Sequence, residues 1–298
     1  SITSNLHTQK LLPEDIRELI ISISHIKGRR LGLRSFVVEV EPGNPNSKRP
    51  FFYLGWGLDN CPGALGADQP VYWLPVSARA QNPTTYIQDL AAFYVEEIRS
   101  VQPEGPYIVG GECFGGLPAL EIAQQLQVQG QKVALLALLD CGSQDPVYRR
   151  YQHPIFRLTY HWHKFWQLGS VKKLIYVLEL LKIVLNRIDF DYIKKDSNSE
   201  IKNDYRTQVL EAFGRARQSY IPQFYSGRVA LFFARWGGRR SFLFPKGGWG
   251  KLFTGELEVH IVPGNHMSYL EDPQIWVLAE KLKACLDQAQ TDNSKTNA

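Results

Sequence analysis

The sequence predicts an α/β protein: a mostly parallel sheet flanked by helices and interrupted by a helical insertion. Three observations predict it. Residues 106–140 read as strand, tight turn, helix and strand in succession: PYIVGG, GECFG, GLPALEIAQQLQVQG, KVALLALLD. The last of these runs is apolar throughout, as a strand buried on both faces of a parallel sheet must be. Two further strand-like runs, RVALFFA (228–234) and ELEVHIV (256–262), follow only after residues 142–225, where no strand pattern is seen.

Each element has its own signal. Near the start, LPEDIRELIISISHI spaces apolar residues as a helix does, with acids early and Lys27, Arg29 and Arg30 after it, matching the helix macrodipole. It precedes the first strand and reads as a linker or docking helix within residues 1–34. SFVVEVE (35–41) is the first strand, closed by a loop rich in Pro, Gly and Asn over 42–50. PFFYLGWG (50–57) is a short buried strand ending in glycines, and VYWLPV (71–76) is another. Residues 84–101 are amphipathic and predict a helix that stops near Pro103. After PYIVGG, residues 116–130 form a helix that Gly130 ends. With KVALLALLD this makes a βαβ unit with a right-handed crossover. The insertion, about 142–225, holds the aromatic and basic run YHWHKFW, the nearly all-round apolar stretch LIYVLELLKIVL (174–185) and the polar break KKDSNSEIKND (194–204). A helix follows over Pro273–Gln288, and residues 291–298 read as a disordered tail.

Composition narrows the function. Of 298 residues, 44% are hydrophobic and 21% charged, which is ordinary for a globular protein and excludes disordered, collagen-like and disulfide-scaffold classes. The longest apolar runs, such as Val133–Leu139, fall far short of the ~18–20 residues that cross a bilayer, so no membrane partner is expected. SITSNLHTQK lacks the basic and apolar regions of a leader, and a cytoplasmic location is the expectation. Cys61, Cys113, Cys141 and Cys285 are too few and too scattered for a disulfide framework, and no cysteine–histidine spacing suggests a metal. A net charge of +5 argues only weakly for nucleic acid and suits an acidic protein partner.

The chemistry lies in Gly111-Glu112-Cys113-Phe114-Gly115, a G-x-C-x-G between a strand and a helix. That is the setting of a nucleophile elbow. So tight a turn needs neighbours without bulk. It lifts the Cys113 side chain above the sheet edge, where the N–H groups of the following helix favour negative charge. Asp140 closes the next strand at the same edge. The competing loop after RVALFFA carries no Asp or Glu, so Asp140 is the candidate acid by elimination. His266, in VPGNHMSYLEDP after the last strand, is the candidate base, on a loop from which an imidazole could swing to the elbow. His7 and His25 are N-terminal, His153, His161 and His163 lie in the insertion, and His260 is inside a strand. Nucleophile, acid and base then run in chain order and fit acyl transfer. The backbone N–H groups of Phe114 and Trp56 are the candidate oxyanion donors, with Gly55 and Gly57 letting the second approach. Cys285 shares the apolar side of the last helix with Leu278 and Leu282 and reads as structural. A Cys113–Cys141 redox pair is a minor alternative.

GPYIVGGECFGGLPALEIAQQLQVQGQKVALLALLD, FFYLGWG and VPGNHMSYLEDP…LAEKLKACL together resemble the thioesterase domains that end polyketide synthases and nonribosomal peptide synthetases. The resemblance runs from about Phe36 to Gln288. It implies an α/β-hydrolase fold over residues 35–290, with the insertion as a helical lid after the sixth strand. The usual elbow nucleophile is serine, so Cys113 is a departure, though members with cysteine exist. The resemblance also implies an acyl chain delivered as a thioester on the 4′-phosphopantetheine of an upstream acyl or peptidyl carrier protein, with no permanently bound cofactor. Release would be macrocyclisation, slightly favoured, or hydrolysis. Arg149, Arg150, Lys172 and Lys173 are candidate contacts for an acidic carrier. The stretch 174–185 would line a substrate chamber, pack as a lid or, with the N-terminal helix, support a homodimer. A free-standing esterase or editing thioesterase and an inactive binding module of the same fold are the alternative readings.

Overall fold

A computed structural model describes residues 28–31, 37–55, 63–74, 86–146, 148–149, 165, 173, 214–236 and 244–291. The expected N-terminal helix, Trp56, Cys61, Arg150, Lys172, the stretch 174–185 and residues 292–298 lie outside the described residues.

Eight strands form one sheet: β1 (Arg29–Arg30), β2 (Val38–Glu41), β3 (Phe51–Leu54), β4 (Val71–Trp73), β5 (Tyr107–Glu112), β6 (Val133–Leu139), β7 (Val229–Ala234) and β8 (Leu257–Val262). Their order is β1-β2-β4-β3-β5-β6-β7-β8. β1 and β2 pair antiparallel, as do β2 and β4, and all later pairs are parallel. Every strand read from the sequence is present. The sheet begins earlier than expected, because β1 falls within the segment 1–34. A two-residue strand has no periodicity to read. Its register comes from across the ladder, where Arg29 sits opposite Glu39 and bonds its carboxylate at 2.7 Å.

The helices follow the same pattern. α1 (Tyr86–Val101) and α2 (Gly116–Val128) lie on one face, and α3 (Gln274–Thr291) lies on the other. No helix among the described residues is long and apolar enough to cross a membrane. Alternation along β5–β7 sorts the core into two layers. Val109, Leu136, Leu138 and Phe233 pack with Ile98, Leu120 and Ala123 of α1 and α2. Ile108, Leu135, Leu139 and Phe232 pack with Leu278, Leu282 and Leu286 of α3. Because both faces are covered, these strands carry no polar alternation, as the run VALLALL displays.

The chain order of the strands matters for the site. From β3 the chain moves outward to β4 and then returns to the other side of β3 for β5. The direction of winding reverses there, and the carboxyl ends of β3 and β5 flank the crevice where open α/β sheets bind ligands.

Candidate active site

Register brings the predicted residues to one edge. Glu112 at the end of β5 pairs with Leu139 at the end of β6, so Cys113 and Asp140 leave adjacent strands side by side. Leu54 pairs with Gly111, which places the exit of β3 beside the same turn. Ala234 pairs with Val262, and the loop after Val262 carries His266 back over this edge.

The elbow is strained. Cys113 has φ 50° and Asp140 has φ 46°, the two non-glycine residues with positive φ among those described. Each such conformation costs about 1–3 kcal/mol and persists only where packing fixes it. A Cβ on Gly111 would run into the Gly115 carbonyl, and one on Gly115 would run into the Leu54 carbonyl. Both glycines of the G-x-C-x-G are therefore demanded by close backbone approach. A 3₁₀ turn over Cys113–Gly115 runs straight into α2, so the helix N-terminus faces the thiol.

His266 Nε2 lies 3.1 Å from Cys113 Sγ, and His266 Nδ1 lies 2.6 Å from Asp140 Oδ2. Asp140 is fully buried, and its other oxygen accepts the Ala234 N–H at 3.1 Å. The carboxylate is thus fixed at both ends while it orients the imidazole. The histidine loop is pinned too: Asn265 Oδ1 accepts the N–H groups of Met267 and Ser268, and Ser268 Oγ accepts the N–H of Asn265. The ring is already docked against its two partners, where the sequence suggested a swinging imidazole.

The sequence matches the thioesterase domain family over residues 67–286. The chain belongs to that family. Among relatives, it is 26% identical over 306 residues to a non-reducing polyketide synthase of Cladonia metacorallifera, covering 94% of this chain and 14% of the relative. It is 40% identical over 90 residues to a dimodular nonribosomal peptide synthase of Bacillus subtilis, covering 29% of this chain and 4% of the relative. The chain thus spans a small part of the length of the curated relatives it matches. The solved NocB thioesterase domain, in covalent complex with a fluorophosphonate nocardicin G analogue, superposes with a TM-score of 0.57 at 24% identity, over 84% of this chain and 99% of that one. The fold is that of the α/β hydrolases.

In this thioesterase domain the other described cysteines are poor competitors for Cys113. Cys141 is buried beneath the elbow, its Sγ 3.3 Å from the Gly111 carbonyl oxygen, and none of Cys113, Cys141 and Cys285 is in a disulfide. Burial raises the Cys285 thiol to about 11. Of the basic residues singled out for docking, Arg149 is exposed and bonds Gln144, and Lys173 sits over the Phe165 ring at 5.4 Å. Phe114 follows the thiol as the middle residue of the 3₁₀ turn, whereas Trp56, the other candidate oxyanion donor, lies outside the described residues.

Two supports escaped the sequence reading. Tyr269 is buried and stacks near the His266 ring, with centroids 6.2 Å apart and planes at 23°. Tyr53 donates its hydroxyl proton to Glu112 Oε2 at 2.7 Å, tying β3 to the residue before Cys113. The one available signal was a carboxylate, Glu112, closing an otherwise apolar strand.

Burial alone would lower the His266 pKa, but its hydrogen bonds to Asp140 and Cys113 outweigh burial and hold it up at about 10. The imidazolium therefore faces the sulfur at neutral pH. Because the folded-state value lies above the usual ~6.5, this stabilising contribution is complete below pH 6.5 and is lost as pH rises toward 10. We expect the His266 ring ¹⁵N signals to remain those of the imidazolium through pH 8 and to change near pH 10. The rate of thioester acylation should fall over the same alkaline range, as the His266 proton is lost. A midpoint near 6.5 in both measurements would contradict the assignment.

Proposed function

We propose that this domain releases a polyketide or peptide chain from an upstream carrier protein by passing it through Cys113. The single observation that carries this reading is the continuous relay Asp140–His266–Cys113, seated on a positive-φ elbow. Its intactness disfavours an inactive binding module. The polyketide and peptide synthases among the relatives support a carrier-bound thioester on 4′-phosphopantetheine as substrate.

In acylation, Cys113 Sγ, as thiolate, attacks the thioester carbonyl carbon. The backbone N–H of Phe114, joined by that of Trp56, holds the oxyanion that forms. The intermediate collapses and expels the phosphopantetheine thiolate, which takes the proton from His266 Nε2. Asp140 stabilises the imidazolium and keeps Nδ1 directed at itself. In release, neutral His266 takes a proton from the second nucleophile, which is water or a hydroxyl or amine of the chain itself. That nucleophile attacks the acyl carbon, Cys113 leaves as thiolate, and His266 Nε2 holds the proton it took.

Cysteine changes the energetics of release. A serine would exchange the carrier thioester for an oxoester of lower energy. Cys113 exchanges one thioester for another, so the acyl group stays activated for the second step. That favours a poor or strained internal nucleophile competing with water, and macrocyclisation is the release mode we favour over hydrolysis.

The test is Cys113→Ser, assayed on a carrier-loaded chain bearing its own internal nucleophile. The serine variant should still load but shift product from cyclic toward linear acid, or stall as acyl-enzyme. An unchanged product ratio, or linear acid alone from the unaltered protein, counts against cyclisation. Equal turnover of a carrier-bound chain and a simple p-nitrophenyl ester would favour a free-standing esterase instead.

A further inference from the structure

At the far edge of the sheet, β8 and α3 bring together three ligand-type side chains that acyl transfer does not use. Glu258 and His260 are two apart on β8 and project to the same face, the one α3 covers. There His260 stacks on Phe232, with centroids 4.8 Å apart, and meets Cys285 of α3. His260 Nε2 lies 3.3 Å from Cys285 Sγ and 3.4 Å from Glu258 Oε2, and all three ligand atoms lie within 4.8 Å of one another. Ligand spacing carries no metal signal here because Cys285 stands 25 residues from His260 in the chain.

We propose that Glu258, His260 and Cys285 bind a thiophilic divalent transition metal ion, with Zn²⁺ the best fit. Tetrahedral zinc at ordinary bond lengths separates a carboxylate oxygen from an imidazole nitrogen by roughly 3.4 Å, and a thiolate sulfur from that nitrogen by roughly 3.6 Å. The two separations from His260 Nε2, 3.4 and 3.3 Å, need little adjustment, and the third, between Cys285 Sγ and the Glu258 carboxylate, lies within 4.8 Å and closes to roughly 3.6 Å around a tetrahedral ion. Arg228 donates from Nη2 at 2.6 Å and Nε at 3.1 Å, both to Glu258 Oε1. That leaves Oε2 turned toward His260, the outer-sphere support that metal-binding carboxylates require. Cys285 is buried, while Glu258 and His260 are partly open, so water can complete the coordination from their side. The metal displaces the Cys285 thiol proton to solvent, and His260 binds through Nε2 with its own proton on Nδ1. Thiolate and carboxylate then neutralise the dication. Among the described residues, Arg228 and Lys281 are cations near the cluster and weaken affinity without occupying the Oε2, Nε2 or Sγ ligand atoms.

The site spans a particular place. Residues 263–273, which carry His266, connect β8 to α3. A metal bound to Glu258, His260 and Cys285 would clamp the two elements that flank that loop.

The test uses the full chain with Cys113→Ser, because the Cys113 thiol beside His266 would otherwise compete for a thiophilic ion. Zn²⁺ should bind one to one against a chromophoric chelator and raise the Tm by roughly 5 °C at saturation. Co²⁺ should give a thiolate-to-cobalt absorption band in the near ultraviolet. Adding Cys285→Ser should remove the band and weaken Zn²⁺ binding at least tenfold, and His260→Gln, at a half-buried position, should weaken it similarly. Cys285→Ser alone should leave acylation at Cys113 unchanged, which checks that the fold survives. If it does not fold, His260→Gln decides the matter. Absence of the band, or a band and affinity that survive the substitutions, would show a hydrogen-bonded pair and overturn the proposal.

Discussion

Cys113→Ala is expected to lose covalent acylation entirely and to lower turnover on a carrier-bound thioester by on the order of 10⁴-fold or more, the usual cost of removing a nucleophile whose partners act with it as a unit. Intact-mass analysis after incubation with a thioester mimic checks the first outcome. The unaltered chain should gain one acyl group, mapped to Cys113 by peptide digestion. Labelling of Cys141 or Cys285 would sink the assignment, and their burial argues against it. The elbow adds a stability readout. At φ 50° an alanine keeps the strain that the cysteine carries, whereas a glycine relieves it. Cys113→Gly should therefore be as inactive as Cys113→Ala but equal to it or up to about 1 kcal/mol more stable, since relief of strain is partly offset by greater freedom of the unfolded chain. A glycine variant clearly less stable than the alanine one would mean that the turn is not held against its own preference.

Most of the site was legible because its signals are local. Gly111 and Gly115 bracket the nucleophile within five residues, and the change from strand to helix falls between them. Asp140 follows by elimination, since the alternative loop after β7 has no carboxylate. What the sequence could not carry was contact between distant segments. β1 is not legible because two residues have no period and owe their place to Glu39. Tyr53, Tyr269 and the Glu258–His260–Cys285 cluster act through side chains from separate elements, and nothing in their immediate neighbours marks them. From sequence alone His260 is a strand residue and nothing more. The alternation that placed it on the face of α3 could not say which residue of α3 would meet it.

Asp140→Asn should fold and should lose roughly 10²- to 10³-fold in acylation, less than the ~10⁴-fold seen when a serine triad loses its carboxylate. The geometry offers the asparagine no good arrangement. Both oxygens of Asp140 accept hydrogen bonds in a fully buried position, one from Ala234 N and one from His266 Nδ1. An amide has one acceptor and one donor end. If its oxygen stays with Ala234, its NH₂ faces Nδ1, which must give up its proton, and the imidazolium opposite Cys113 is lost. If it flips, its NH₂ meets the Ala234 N–H donor to donor, at about 1–3 kcal/mol for the unsatisfied pair. Either way the negative charge that helps hold the His266 proton is gone, so its pKa should fall from about 10. The ring ¹⁵N titration reads that shift independently of turnover. The loss is smaller than for serine because a thiol ionises far more readily than a hydroxyl and depends less on a strong base. The double variant Cys113→Ser with Asp140→Asn isolates this point: on a serine elbow the same asparagine should cost a further tenfold or more. Equal losses on the two backgrounds would mean that cysteine leans on Asp140 as heavily as serine does. Unaltered turnover in the single variant would remove Asp140 from the relay despite its 2.6 Å contact with His266.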